Sequence, residues 1–133
     1  MVDDNSYARA ISTVSFNKIG ISQVDEADSG AQAILALLSQ DYDVMLMDWY
    51  MPEISGAGLM QVLRDPRFGP ACTLPVILMT AYASRENITR ARELGVNEIL
   101  VKPFSAEQLG VALGKVLAPS GGFQAAATDE FFL

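Results

Sequence analysis

VMLMDWYMP, residues 44–52, opens with four consecutive apolar side chains and then stops at a carboxylate, Asp48. A continuous apolar run of this length reads as a short strand covered on both faces. Val76-Ile77-Leu78-Met79 and Ile99-Leu100-Val101 repeat the pattern, closed by Thr80 and Lys102. Residues Ser22 to Glu26 read as a weaker strand near an edge. Helical spacing fills the gaps between these runs, and that alternation is the signature of an α/β domain built on a parallel sheet.

The helices are read from apolar stripes. Ala31, Ile34, Leu35 and Leu38 fall at i, i+3, i+4 and i+7, and Leu109, Ala112, Leu113 and Val116 repeat that spacing. Leu59, Val62 and Leu63 mark another helix, and Ile88, Ala91 and Leu94 a further one ended by Gly95. A first helix over about Ser6 to Lys18 is less regular. Ser105 and Gln108 form a capping box that starts the last helix after Pro103. Asp65 to Leu74 is a long loop for an α/β connection. The reading gives one unit over residues 1–118 and a flexible tail over 119–133, with a Pro119-Ser120-Gly121-Gly122 linker and a Phe131-Phe132-Leu133 end.

Composition narrows the function. The 133 residues make one domain, and a net charge of −7 argues against a nucleic-acid partner. No apolar run is long enough for a membrane span and no export signal is legible, so a membrane partner is not expected. The single cysteine, Cys72, excludes an internal disulfide and fits a reducing, cytoplasmic setting. Histidine is absent, which removes the commonest general base and metal ligand; a metal site must then use oxygen donors and favours Mg²⁺, Ca²⁺ or Mn²⁺.

Ligands of open parallel sheets bind beyond the carboxyl ends of the strands. The residues in those places are Asp3 and Asp4 after Met1-Val2, Asp48, Thr80 and Lys102. Three close carboxylates repel one another unless a cation intervenes, and Mg²⁺ suits one or two carboxylates, several waters and a phosphate. A carboxylate so placed is a nucleophile toward phosphorus. Asp48 is the expected phosphoacceptor, with Lys102 supplying charge and Thr80 a hydrogen bond.

VDDN (Val2 to Asn5), LMDWYMP (Leu46 to Pro52), LMTAYA (Leu78 to Ala83) and LVKPF (Leu100 to Phe104) together resemble the receiver domain of two-component response regulators, of the single-domain chemotaxis-regulator kind. The resemblance implies a flavodoxin-like sheet of five parallel strands in the order 2-1-3-4-5 with five helices, here with a first strand cut to Met1-Val2. It implies direct Mg²⁺ ligands in Asp4, Asp48 and the backbone carbonyl of Tyr50, with Asp3 acting through water. Thr80 becomes the switch hydroxyl, Lys102 the pairing lysine, and Ala81 a phosphate-contacting position. The implied partners are a histidine kinase or histidine phosphotransfer protein upstream and a protein target downstream. Such a chain catalyses its own phosphorylation and dephosphorylation and is not a turnover enzyme.

Two positions depart from the family. An aromatic residue often stands where this chain has Ile99, which is stiff at χ1 and has no ring to expose; Tyr82 is the candidate substitute. Tyr50 and Tyr82, each two residues beyond a site residue, would screen water and lengthen the life of a phosphoform. Arg85, Arg90 and Arg92 could face an acidic partner. Three alternatives are weighed. An aspartyl phosphohydrolase needs an acid where Tyr50 stands. A flavin or nucleotide module needs a Gly- or Ser/Thr-rich loop where Asp3-Asp4 stands. A pseudo-receiver scaffold accepts no phosphate at all.

Overall fold

The computed structural model describes residues 1–117. The expected linker, the tail and the last residue of the 1–118 unit lie outside them. In chain order the elements are α1 (Ser6–Lys18), α2 (Gly30–Ser39), β1 (Met45–Asp48), α3 (Gly56–Arg64), β2 (Val76–Thr80), α4 (Arg85–Glu93), β3 (Glu98–Val101) and α5 (Ala106–Leu117). The strands form one parallel sheet in the order β1-β2-β3. Met79 is the register partner of Asp48, and Val101 that of Thr80.

Of the five strands expected, the first of them cut to Met1-Val2, three form regular ladders among the described residues. The other two are reduced to single-residue bridges, with Val2 pairing in parallel with both Ala27 and Met47. The Val2 N–H donates to the Leu46 carbonyl at 2.7 Å, and the Asp48 N–H returns to the Val2 carbonyl at 2.8 Å. On the other side the Asp3 N–H donates to the Ala27 carbonyl at 3.1 Å, and the Ala27 N–H to the Met1 carbonyl at 2.9 Å. The spatial order of the five-stranded fold survives, but one residue carries the first strand. Ser22 to Glu26 is not a strand. It is polar at every position but Val24, and so has no apolar face to lay on a sheet.

Side chains alternate across the sheet although the runs are apolar throughout. Met45, Met47, Val76, Leu78 and Ile99 pack with Ala33 of α2, Leu59 and Leu63 of α3, and Ala91 of α4. Leu46, Ile77, Met79 and Leu100 pack with Phe16 of α1 and with Leu109 and Leu113 of α5. The sheet is thus covered on both faces, which is why its strands read as unbroken apolar runs.

The stripe expected on α2 is corrected. Leu35 and Leu38 are 66% and 63% exposed, and the helix packs through Gly30, Ala33, Ile34 and Leu37 instead. GAQAILALLS is apolar almost all round, so its spacing fits two phases. Gly30 decides between them, because a Cβ there would lie 2.8 Å from the Ile54 side chain. The stripe expected on α3 is also only partly inward, with Val62 exposed beside buried Leu59 and Leu63.

The capping box of α5 is reciprocal: the Gln108 N–H donates to Ser105 Oγ at 3.0 Å, and the Ser105 N–H to Gln108 Oε1 at 2.9 Å. The loop from Asp65 to Leu74 contains two short 3₁₀ turns, Pro66–Phe68 and Pro70–Thr73, each begun by a proline. Arg64 secures it. Its guanidinium donates to the carbonyls of Cys72 at 2.9 Å, Leu74 at 2.7 Å and Gly95 at 2.7 Å, and to Asn97 Oδ1 at 3.0 Å. Among the described residues no helix is long and apolar enough to cross a membrane.

Candidate functional site

The carboxyl ends of the strands place the site. Asp48 and Thr80 are the last residues of β1 and β2, and Lys102 is the first residue after β3. Asp3 and Asp4 follow Val2, whose bridges seat it between Ala27 and Met47. Asp3, Asp4 and Asp48 each offer a carboxylate oxygen, and these oxygens lie within 4.8 Å of one another. The sequence-derived acidic triad is therefore one cluster in space.

Its members sit in different surroundings. Asp4 is exposed, Asp48 is half-buried, and Asp3 is only 1% exposed. Both Asp3 oxygens are engaged: Oδ1 accepts the Asn5 N–H at 2.9 Å, and Oδ2 accepts the Lys102 ammonium at 2.7 Å. Lys102 reaches Asp48 less closely, at 3.8 Å. Asp48 Oδ1 also accepts the Trp49 N–H at 2.9 Å. Burial pushes the Asp48 carboxyl above the usual carboxylate range; Lys102 opposes this, Asp3 adds to it, the Trp49 N–H opposes it, and Asp4 adds to it. A carboxylate held up by burial and by two like charges is a place where an added cation is favoured. The donor set, all oxygen and partly open at Asp4 and Asp48, fits a hard divalent ion of the Mg²⁺ type.

Thr80 is 2% exposed, and its Oγ1 accepts the Tyr82 N–H at 2.9 Å. The peptide of Lys102 is tied to the same strand end, its N–H donating to the Thr80 carbonyl at 2.8 Å. Ala81 follows Thr80 at the exposed rim. Tyr50 and Tyr82, 52% and 66% exposed, meet edge to face with ring centroids 5.5 Å apart. Ile99 is half-buried against the cluster on the α2–α4 face, opposite Leu78 in register. Arg92 lies 3.7 Å from Glu98 and is partly neutralised, whereas Arg85 and Arg90 are exposed.

Three neighbours escaped the sequence reading. Arg9 donates to the Asp3 carbonyl at 2.7 Å and pairs with Glu26 at 3.0 Å, fixing the backbone beside the acidic pair. Asn5 caps α1 and holds Asp3 by its N–H; an Asn before a helix is a legible cap signal. Asn87 donates to the Tyr82 carbonyl at 2.8 Å and to the Tyr50 hydroxyl at 3.2 Å, and no spacing rule announces it.

A doubly covered parallel sheet with acids and a lysine converging on its carboxyl rim is the architecture of a receiver domain. The family model for the response regulator receiver domain matches residues 1–113, and the chain belongs to that family. Among curated relatives it is 36% identical over 123 residues to the chemotaxis protein CheY of Pseudomonas aeruginosa, spanning 92% of this chain and 97% of that protein. It is 37% identical over 116 residues to chemotaxis protein CheY-3 of Vibrio cholerae, spanning 87% and 88%. Among solved structures, Vibrio cholerae CheY4 superposes with a TM-score of 0.78 at 27% identity, over 87% of this chain and 94% of that one. The receiver domain of a Pseudomonas aeruginosa sensor histidine kinase, solved with magnesium coordinated in its active-site cleft, gives 0.79 at 25% identity over 89% and 94%. The flavodoxin-like receiver fold and the kinship to single-domain chemotaxis regulators follow from these likenesses.

Proposed function

We propose that this receiver takes a phosphoryl group from the phosphohistidine of a partner onto Asp48, with Mg²⁺ at the acidic cluster, and thereby switches its contacts with a downstream protein. The observation that carries the reading is the meeting of Asp3, Asp4, Asp48 and Lys102 at one strand rim. An Asp48 carboxylate oxygen attacks the phosphorus of the donor phosphoimidazole. The phosphorus–nitrogen bond breaks, its electron pair stays on the imidazole nitrogen, and that nitrogen takes up a proton. The product is an acyl phosphate. A bound Mg²⁺ supplies positive charge to Asp48 and to the phosphoryl oxygens.

The chain's own residues do the rest. Asp4 and Asp48, with the Tyr50 carbonyl, are the direct metal ligands in this reading, and Asp3 acts through water because its oxygens already serve Lys102 and Asn5. Lys102 is shared between Asp3 and Asp48 and is placed to follow new negative charge toward Asp48. The Thr80 hydroxyl keeps its own proton for a phosphoryl oxygen, with Ala81 beside it. Phosphorylation adds roughly −1.5 to −2 charges to this rim. Running the switch from mostly off to mostly on takes about 5.5 kcal/mol of preference for the active state. The domain turns over no separate substrate; it acts in the cytoplasm, with a histidine kinase or phosphotransfer protein as donor. The face made by α4, β3 and α5 is the output surface.

Incubation of the chain with Mg²⁺ and acetyl phosphate tests this. Intact-mass spectrometry is expected to show one added phosphoryl group on the wild type and none on Asp48→Asn. Absence of label on the wild type would favour a phosphate-independent scaffold.

A further inference from the structure

Asn87 lies on α4, outside the acidic cluster, and the chemistry of Asp48 does not use it. Its amide nitrogen nevertheless joins two loops, donating to the Tyr82 carbonyl at 2.8 Å and to the Tyr50 hydroxyl at 3.2 Å. The Tyr82 N–H in turn donates to Thr80 Oγ1 at 2.9 Å. One chain of bonds therefore runs from the Thr80 hydroxyl, through the Tyr82 peptide and Asn87, to Tyr50, two residues beyond Asp48. The rings at its end meet at an interplanar angle of 89°.

Both rings are more than half exposed, so burial does little to fix them. Asn87 acts on both, on Tyr50 through the ring's own hydroxyl and on Tyr82 through the peptide carbonyl of the residue that carries the ring. It suits the task, since its NH₂ has two hydrogens for two acceptors. Its own backbone is anchored, with its N–H donating to the Ser84 Oγ that caps α4. The side chain thus reaches the rim from a fixed helix end.

We propose that Asn87 is a positioning residue, a latch that joins the loop after β1 to the loop after β2. It holds Thr80 and the Tyr50–Tyr82 pair in one arrangement and so limits access of water to phosphorylated Asp48. The inference rests on the reading of Asp48 as phosphoacceptor. With the latch made, the Tyr82 peptide cannot shift without straining its bond to Asn87, and Thr80 stays bound to Tyr82. With it broken, the rings and Thr80 move independently.

The test is a cycle of Asn87→Leu, which keeps the volume and removes the donors, with Tyr50→Phe, which removes only the hydroxyl. Each chain is labelled with acetyl phosphate and Mg²⁺, freed of donor, and followed by loss of label. Each single change is expected to speed loss roughly threefold, and the double change to be no faster than either single. A rate unchanged by Asn87→Leu, or single effects that multiply to roughly ninefold, would overturn the latch. A second measurement needs no phosphate: fluorine NMR of the fluorotyrosine-labelled protein. Of its 4 tyrosines, Asn87→Leu is expected to move the resonances assigned to Tyr50 and Tyr82 by Tyr→Phe changes, and to leave Tyr7 and Tyr42 in place. Motion of neither, or of all of them, counts against the latch. If the wild type takes no label, the phosphoacceptor reading fails and the fluorine spectra alone decide about Asn87.

Discussion

The Lys102 ammonium lies 2.7 Å from the Asp3 carboxylate, joining residues 99 positions apart in the chain. Asp3 is almost fully buried, and Lys102 is the positive partner that its carboxylate meets there. Lys102→Ala is therefore expected to destabilise the metal-free protein by about 3 kcal/mol. Urea unfolding with an unchanged m-value checks this. A loss below about 1 kcal/mol would place the pair among weak surface bridges.

The raised Asp48 carboxyl gives stability a direction with pH. Burial is the main cause, and the native state keeps the proton at pH values where the unfolded chain has released it. The native state then binds more protons, so this group's contribution to stability falls as pH rises from about 4, the unfolded value, through the raised native value. Asp48→Asn removes that fall. The metal-free variant is expected to melt about 3 °C above the wild type near neutral pH. Identical pH profiles of melting temperature for the two proteins would contradict the assignment.

Gly56 opens α3 directly behind the Asp48 strand end. A Cβ there would lie 2.8 Å from the Trp49 ring, 2.9 Å from Trp49 Cα and 3.1 Å from the Asp48 carbonyl. Alanine in a helix gains about 1 kcal/mol over glycine, but a clash with backbone outweighs it. Gly56→Ala is expected to cost about 2 kcal/mol net and to slow labelling of Asp48. Denaturant melts and acetyl phosphate labelling measure both; a stabilised, normally labelled variant refutes the argument.

Arg64 serves the carbonyls of Cys72, Leu74 and Gly95 with one planar fork. Arg64→Ala strands these acceptors and is expected to cost about 3 kcal/mol. Lysine supplies the charge without the fork, so Arg64→Lys should recover less than half of the loss. Full recovery by lysine in thermal melts would show that charge alone matters.

Tyr50 and Tyr82 stand over the rim as an edge-to-face pair. Replacing the first ring by a small polar side chain opens a path for water. Tyr50→Asn is expected to shorten the life of the phosphoform roughly tenfold. Phosphoryl loss within seconds from the wild type, with the variant no faster, would remove the screening argument.

The legible part of the fold was the part written in apolar runs. The runs 44–47, 76–79 and 99–101 matched β1, β2 and β3 to within one residue at each end, and the side chains closing them became the rim. The Ser105–Gln108 box was equally plain, because capping is local chemistry. The α2 stripe was misread because an almost wholly apolar helix carries no phase of its own, and a tertiary contact at Gly30 chose it. Ser22 to Glu26 was misread because it is polar at every position but Val24 and has no apolar face to lay on the sheet, whose edge is the single bridge at Ala27. The strand ends already put Lys102 and Asp3 on one rim, whereas the reach of Asn87 is a product of folding that no pattern within its segment encodes.

Val2 has a consequence of another kind. Met1 to Asp3 join the Ala27 segment to β1 through two peptide hydrogen bonds on each side, so the protein contains a line along which few hydrogen bonds need to break for the two sides to part. Such lines are where subglobal opening begins. Asp3 and Asp4 are the next residues along the chain, and they can gather around a cation only while Val2 is seated. Occupancy of the rim and closure of the sheet are therefore thermodynamically linked. Whatever binds those carboxylates also raises the free energy of local unfolding, and amide exchange near Val2 becomes a readout of the ionic state of the site.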